Sequence, residues 1–108
     1  METESAGWTV EEQTLAQAVF DRAMARHVQT LIDELRARAE QLSTPDEIWQ
    51  LHDFLSIRRH EIEGRFDLRL SGLLFVFADL VRDGLVSLEE LQGFSADKRA
   101  KITAMARM

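Results

Sequence analysis

The chain has no cysteine, no tyrosine, a single proline and no long apolar run. Each absence closes off a class of protein. Without cysteine there is no disulfide framework, no thiol nucleophile and no cysteine-based zinc site, and the lack fits a reducing compartment. The longest apolar stretch, Leu73 to Ala78, is far below the roughly 20 residues that span a bilayer. The opening METESAG is too acidic and polar for a signal peptide. These features predict a soluble, cytoplasmic protein without membrane insertion. Basic residues are also scarce: 13 Lys and Arg stand against 19 Asp and Glu, for a net charge of −6. Nucleic acids and anionic membranes require a clustered basic surface, so neither is expected as the main partner. No glycine-rich phosphate loop or nucleophile motif is present, and nothing supports an enzyme.

What the chain does have is helix formers. With 108 residues, 45% apolar and 30% charged, it is long enough for one folded domain and short enough to gain from a partner subunit. Ala, Leu, Glu, Gln and Arg dominate and alternating β-branched runs are missing, which predicts an all-α fold. Residues 1–7 read as a disordered tail. Thr9 with Glu12 has capping-box spacing, and a helical pattern carried by Val19, Met24, Val28, Leu31, Leu35 and Leu42 runs on to about Leu42. Thr44-Pro45-Asp46-Glu47 combines an N-cap, a first-turn proline and a third-position Glu, and opens a second helix reaching about Ile62. Gly64 marks an expected bend or break, and a third helix is predicted from Phe66 to Asp83 with Gly84 as its stop. Its LSGLLFVFADLV segment is apolar nearly all round and needs cover on most sides, for which a second copy is one candidate. Ser87 with Glu90 opens a short helix and Ser95 a last one, with Lys98, Arg99, Lys101 and Arg107 towards its end. The expected shape is elongated: a long N-terminal helix followed by a compact helical part.

The second helix carries the candidate functional residues, within WQLHDFLSIRRH. At about 100° per residue, Ile48, Leu51, Leu55 and Ile62 share one face, suited to packing. Trp49, Asp53, Ser56 and His60 share another, with His52 and Arg59 on its flank, suited to recognition. Asp53 has Ser56 and Ile57 at its next-turn positions, so no base on its own helix neutralises it. It is exposed and idle, bonded across a dimer, or held for a ligand, and the residues alone weigh these equally. His52 and His60 lie about two turns apart, too far to share one ion, and His60-Glu61 lacks the second histidine of a zinc motif. One near-match to a calcium loop runs from Asp79 through Asp83 and Ser87 to Glu90, with Gly84 at its turn. Val81 occupies a ligand position there, and a helix stop and restart is the simpler reading. Leu73 to Phe77 and Trp8 read as core rather than a pigment pocket. Phe75, about 160° from Phe77 around the helix, is the one expected to be exposed.

Several separated segments, in order, are similar to one family. Trp8 with the following EEQ, IWQLHDFLSIRRHEIEGRFD, FVFADLVRDGLV and ADKRAKITAMARM resemble the fluorescence recovery proteins of cyanobacteria. The resemblance covers nearly the whole chain. It implies an all-α homodimer without cofactor or metal that binds the photoactivated, red form of the orange carotenoid protein through that partner's C-terminal domain. Binding would speed reversion to the orange form and promote detachment from the phycobilisome, ending energy dissipation. By matching position, partner contacts fall on Trp49, His52, Asp53, Phe54, Arg59, Phe75 and Lys101, and dimer contacts on Ile32 and Ile48. Phe54 stands where some members are expected to carry tyrosine. Through its partner, the protein would associate with thylakoid-bound phycobilisomes.

Overall fold

A computed structural model describes Glu4, Ser5 and residues 7–108. Of the expected disordered tail, residues 1–3 and 6 lie outside the described residues. β1 (Glu4–Ser5) pairs antiparallel with β2 (Trp8–Thr9) across a turn in which Gly7 takes φ 82°. The rest is helical: α1 (Val10–Glu40), α2 (Pro45–Arg65), α3 (Leu73–Arg82) and α4 (Ala96–Ala106), with short 3-10 turns at Leu70–Gly72 and Leu88–Leu91. The fold is all-α and elongated, 58 × 29 × 19 Å.

Local chemistry sets the helix ends. In the capping box of α1, the Glu12 N–H donates to Thr9 Oγ1 at 3.0 Å and the Thr9 N–H donates to Glu12 Oε1 at 3.1 Å. Thr44 and Glu47 repeat the arrangement at α2, with Pro45 in the first turn, where its missing N–H costs no hydrogen bond. At the end of α3, the Gly84 N–H donates to Val81 O (3.0 Å) and the Leu85 N–H to Leu80 O (2.9 Å). This reversal needs a left-handed residue, and Gly84 supplies it with φ 76°.

The chain divides into a head and an arm. In the head, the first half of α1 packs with α3, α4 and the intervening turns around a core that includes Trp8, Val19, Leu73, Phe77, Phe94 and Ile102. Phe94 stands edge-on to Trp8, with centroids 5.1 Å apart, and tilts against Phe77 at 5.5 Å. Glu12, only 6% exposed, ties the two ends of the sequence together. Its Oε2 accepts from the Ser95 N–H at 2.9 Å, and its Oε1 from the Lys98 ammonium at 3.0 Å. Burial raises the Glu12 pKa, but the bonds from Thr9, Lys98 and Ser95 outweigh it and leave the carboxyl below its ordinary range.

The arm is the second half of α1 folded back against α2, and every residue from Met24 to Gly72 is at least partly exposed. This bears on the cover expected for α3. The chain itself covers the side of α3 that carries Leu73, Phe77, Ala78 and Leu80, while Phe75 stays open, and in the arm no residue is buried at all.

The break also falls elsewhere than predicted. α2 passes through Gly64 to Arg65, because one exposed helical glycine costs only about 1 kcal/mol. The chain turns at Phe66, whose ring packs edge-on against Phe20 at 5.4 Å and against His27 at 5.6 Å. Asp67 then accepts from the Arg69 N–H at 3.1 Å, and α3 begins only at Leu73. Arg65 fastens the joint, donating to Asp79 at 2.8 Å and also to Asp83.

Candidate functional site

α2 positions four of the expected contact residues on its outer side. Trp49 is 64% exposed, and His52, Asp53 and Arg59 are exposed beside it. Their mutual order comes from the helix alone. His52 Nδ1 lies 3.4 Å from Asp53 Oδ1, and Arg59 Nε donates to Glu63 at 3.3 Å. Exposed pairs of this kind are worth under about 1 kcal/mol, so these side chains are free to re-pair with another surface.

Phe54 is placed differently. It is half-buried on the side facing α1, with the Arg38 guanidinium 3.9 Å above its ring and that of Arg58 at 5.3 Å. Arg58 in turn donates to both oxygens of Glu34 at 2.8 Å. These contacts join the two helices, which makes Phe54 part of the support beneath the patch rather than of its outer surface. Phe75 and Lys101 belong to the head: Phe75 stands 69% exposed on α3, and Lys101 on α4 pairs with Asp97 at 3.0 Å.

Helix geometry assigns six of the arm's apolar residues to one side. Turning the same way from the Glu34–Arg58 joint, by about 100–160° on α1 and about 40–80° on α2, the helices present Val28, Ile32 and Leu35, and Ile48, Leu55 and Ile62. Because the helices run antiparallel, both sets turn to the same face of the hairpin. Ile48 there is 49% exposed and Ile32 half-buried.

The calcium-loop residues have other work. Asp79 lies within α3 and is held by Arg65 and Arg82, and Asp83 is also held by Arg65. Glu90 accepts from Arg26 at 2.8 Å, from Arg22 at 3.2 Å and from the Ser87 N–H at 2.9 Å. The Arg26 hydrogen bond is the main reason its pKa falls to about 2. Among the described residues, no three His, Asp or Glu side chains are placed to share a metal ion, and no helix is long and apolar enough to cross a membrane.

The sequence reading missed two features. His27, at the joint of head and arm, is half-buried with its Nε2 lacking a hydrogen-bond partner. Burial first, then the nearby Arg65 and Arg58, hold its pKa below the ordinary histidine value. Ile57, 62% exposed on α2, was noted only as a neighbour of Asp53, although its i+8 spacing from Trp49 was visible.

Comparison with known proteins gives a concordant answer. The family model for the photoprotection regulator fluorescence recovery protein matches residues 8–106. The fluorescence recovery protein of Synechocystis sp. PCC 6803 is 44% identical over 108 residues, covering 100% of this chain and 99% of that protein. The solved structure of the Fremyella diplosiphon fluorescence recovery protein superposes with a TM-score of 0.89 at 46% identity, and that of the Synechocystis protein with 0.90 at 46%. Each comparison covers 94% of this chain and 99% of the other. The chain belongs to the fluorescence recovery protein family of photoprotection regulators.

Proposed function

We propose that this protein is a non-enzymatic, single-domain homodimer that binds the photoactivated, red form of the orange carotenoid protein through that partner's C-terminal domain. In this reading it accelerates return to the orange form and promotes detachment from the phycobilisome, in the cytoplasm and without a cofactor. The observation that carries the reading is the arm, an extended two-helix surface with an apolar face and an exposed Trp49 but no buried residue of its own. Membership of a photoprotection regulator family supports the biological setting.

The two sides of the arm take separate roles. Ile32 and Ile48, with their apolar neighbours, form the seam to a second copy. Trp49, His52, Asp53 and Arg59 meet the photoreceptor with Phe75 and Lys101 from the head, and Phe54 holds the base of the patch. A protein speeds a partner's relaxation only by binding the transition state, or an intermediate on the way, more tightly than the starting state. The dimer therefore engages surface exposed when the red form's two domains separate, and favours the geometry in which they redock. Trp49 and Arg59 are the residue types that usually dominate such interfaces.

The test is the dark red-to-orange recovery rate of illuminated orange carotenoid protein with this protein added below stoichiometry. Acceleration is expected, reduced in Asp53→Leu and Arg59→Leu while helicity and dimer mass stay unchanged. Recovery unaltered by the wild-type protein, with photoreceptors from more than one source, would refute the proposal.

A further inference from the structure

We infer that Ile57 is a second apolar anchor of the partner-binding surface, and that this surface fits a protein face carrying a shallow apolar groove rimmed by lysine or arginine. The inference rests on the regulator reading given above. Trp49, Asp53 and Ile57 follow one another at i, i+4 and i+8, so the two apolar side chains stand about 12 Å apart along α2 with a carboxylate between them. Both are open to solvent, Trp49 at 64% and Ile57 at 62%.

Two observations separate Ile57 from the dimer seam and identify what covers it. It lies about 180° around α2 from Ile48, so a second copy seated on the Ile32 and Ile48 face leaves it uncovered. Its surroundings are acidic. Asp53 and Glu61 lie one turn to either side of it and Asp46 one turn before Trp49, and among the described residues none of the three has a lysine or arginine within ion-pair distance. None of the three arginines of α2 neutralises them here: Arg58 pairs with Glu34, Arg65 with Asp79 and Asp83, and the exposed Arg59 with Glu63. An apolar line flanked by unneutralised carboxylates calls for apolar contact at its centre and cations at its edges. The cations supply orientation and a salt-dependent association rate, and the buried Trp49 and Ile57 supply most of the affinity.

The experiment titrates Ile57→Ser, Trp49→Ala and the double variant Asp46→Asn with Glu61→Gln against illuminated orange carotenoid protein at low and high salt. Dimer mass is measured in parallel. Ile57→Ser is expected to weaken binding about tenfold at unchanged dimer mass, and the double variant to flatten the salt dependence. If Trp49→Ala loses affinity while Ile57→Ser binds like wild type, the anchor is refuted and the regulator reading stands. A changed dimer mass in Ile57→Ser would place the residue in the seam and also overturn the inference. Full-strength binding by both Ile57→Ser and Trp49→Ala, or none by wild type, would remove the inference together with the reading beneath it.

Discussion

The head and the arm draw on the same small set of residues and finish in opposite states. In the head, α1, α3, α4 and their connecting turns meet from several directions, and Phe77, Leu73, Leu80 and Ile102 disappear from solvent. In the arm there are only two helices, and a pair of helices touches along one strip and leaves the rest bare. Val28, Ile48 and Ile57 remain open there although each is as apolar as its counterparts in the head. The difference teaches where the molecule is complete. The head buries a core within one chain, whereas the arm keeps its apolar face open, the face assigned to a second copy in the function proposed above.

That contrast is most easily broken from inside the head. Phe77→Ala removes a fully buried ring and is expected to cost about 3–5 kcal/mol, enough to unfold a small domain, read as a lost or sharply lowered denaturant midpoint. A loss below about 1 kcal/mol would mean that the core is not where the head's stability resides. Ile48→Glu acts on the arm. By placing an unpaired charge in the seam, it should raise the dimer dissociation constant at least tenfold, about 1.4 kcal/mol. The head should keep its near-ultraviolet signal from the buried Trp8. Dimer mass and concentration dependence identical to wild type would show that the seam lies elsewhere.

Gly84→Ala sharpens the comparison on a smaller scale. The left-handed φ of 76° strains any residue with a Cβ, and about 1 kcal/mol should be lost from the head with the dimer undisturbed. The mildest effect is expected at the joint. His27 has a pKa below its unfolded value of 6.5, so the unfolded chain takes up the proton first as pH falls. Its contribution is therefore complete above pH 6.5 and declines below it. His27→Leu should flatten that decline. Glu90 acts in a separate window, since its depressed pKa gives stability that is present above pH 4.5 and lost as pH falls through it towards about 2.

Much of this was legible in the residues because it is local. Thr9 with Glu12, Thr44 with Pro45 and Glu47, and Gly84 each fix a helix end through partners within a few positions, and all three ends stand where their spacing placed them. The exposed row from Trp49 to Arg59 was equally readable, since a helix wheel needs no tertiary information. What the residues could not reveal is set by distant contacts. Gly64 looked like the break, but the turn is made by Phe66 docking on Phe20, which lies on α1. The bond from Lys98 to Glu12 joins opposite ends of the chain, and no periodicity announces it. The all-round apolar sequence of α3 asked for cover on most sides, with a second copy as one candidate. The head buries Leu73, Phe77, Ala78 and Leu80 itself, and the stretch left without a buried residue is the arm.

The most direct test of that division is hydrogen exchange across the whole chain, with the protein alone and mixed with either the dark orange or the illuminated red form of the photoreceptor. The account predicts added protection centred on residues 45–63 with the red form only, and slow exchange in the buried head helices in every sample. Protection confined to the head with α2 unchanged, or equal protection by both forms, would contradict it.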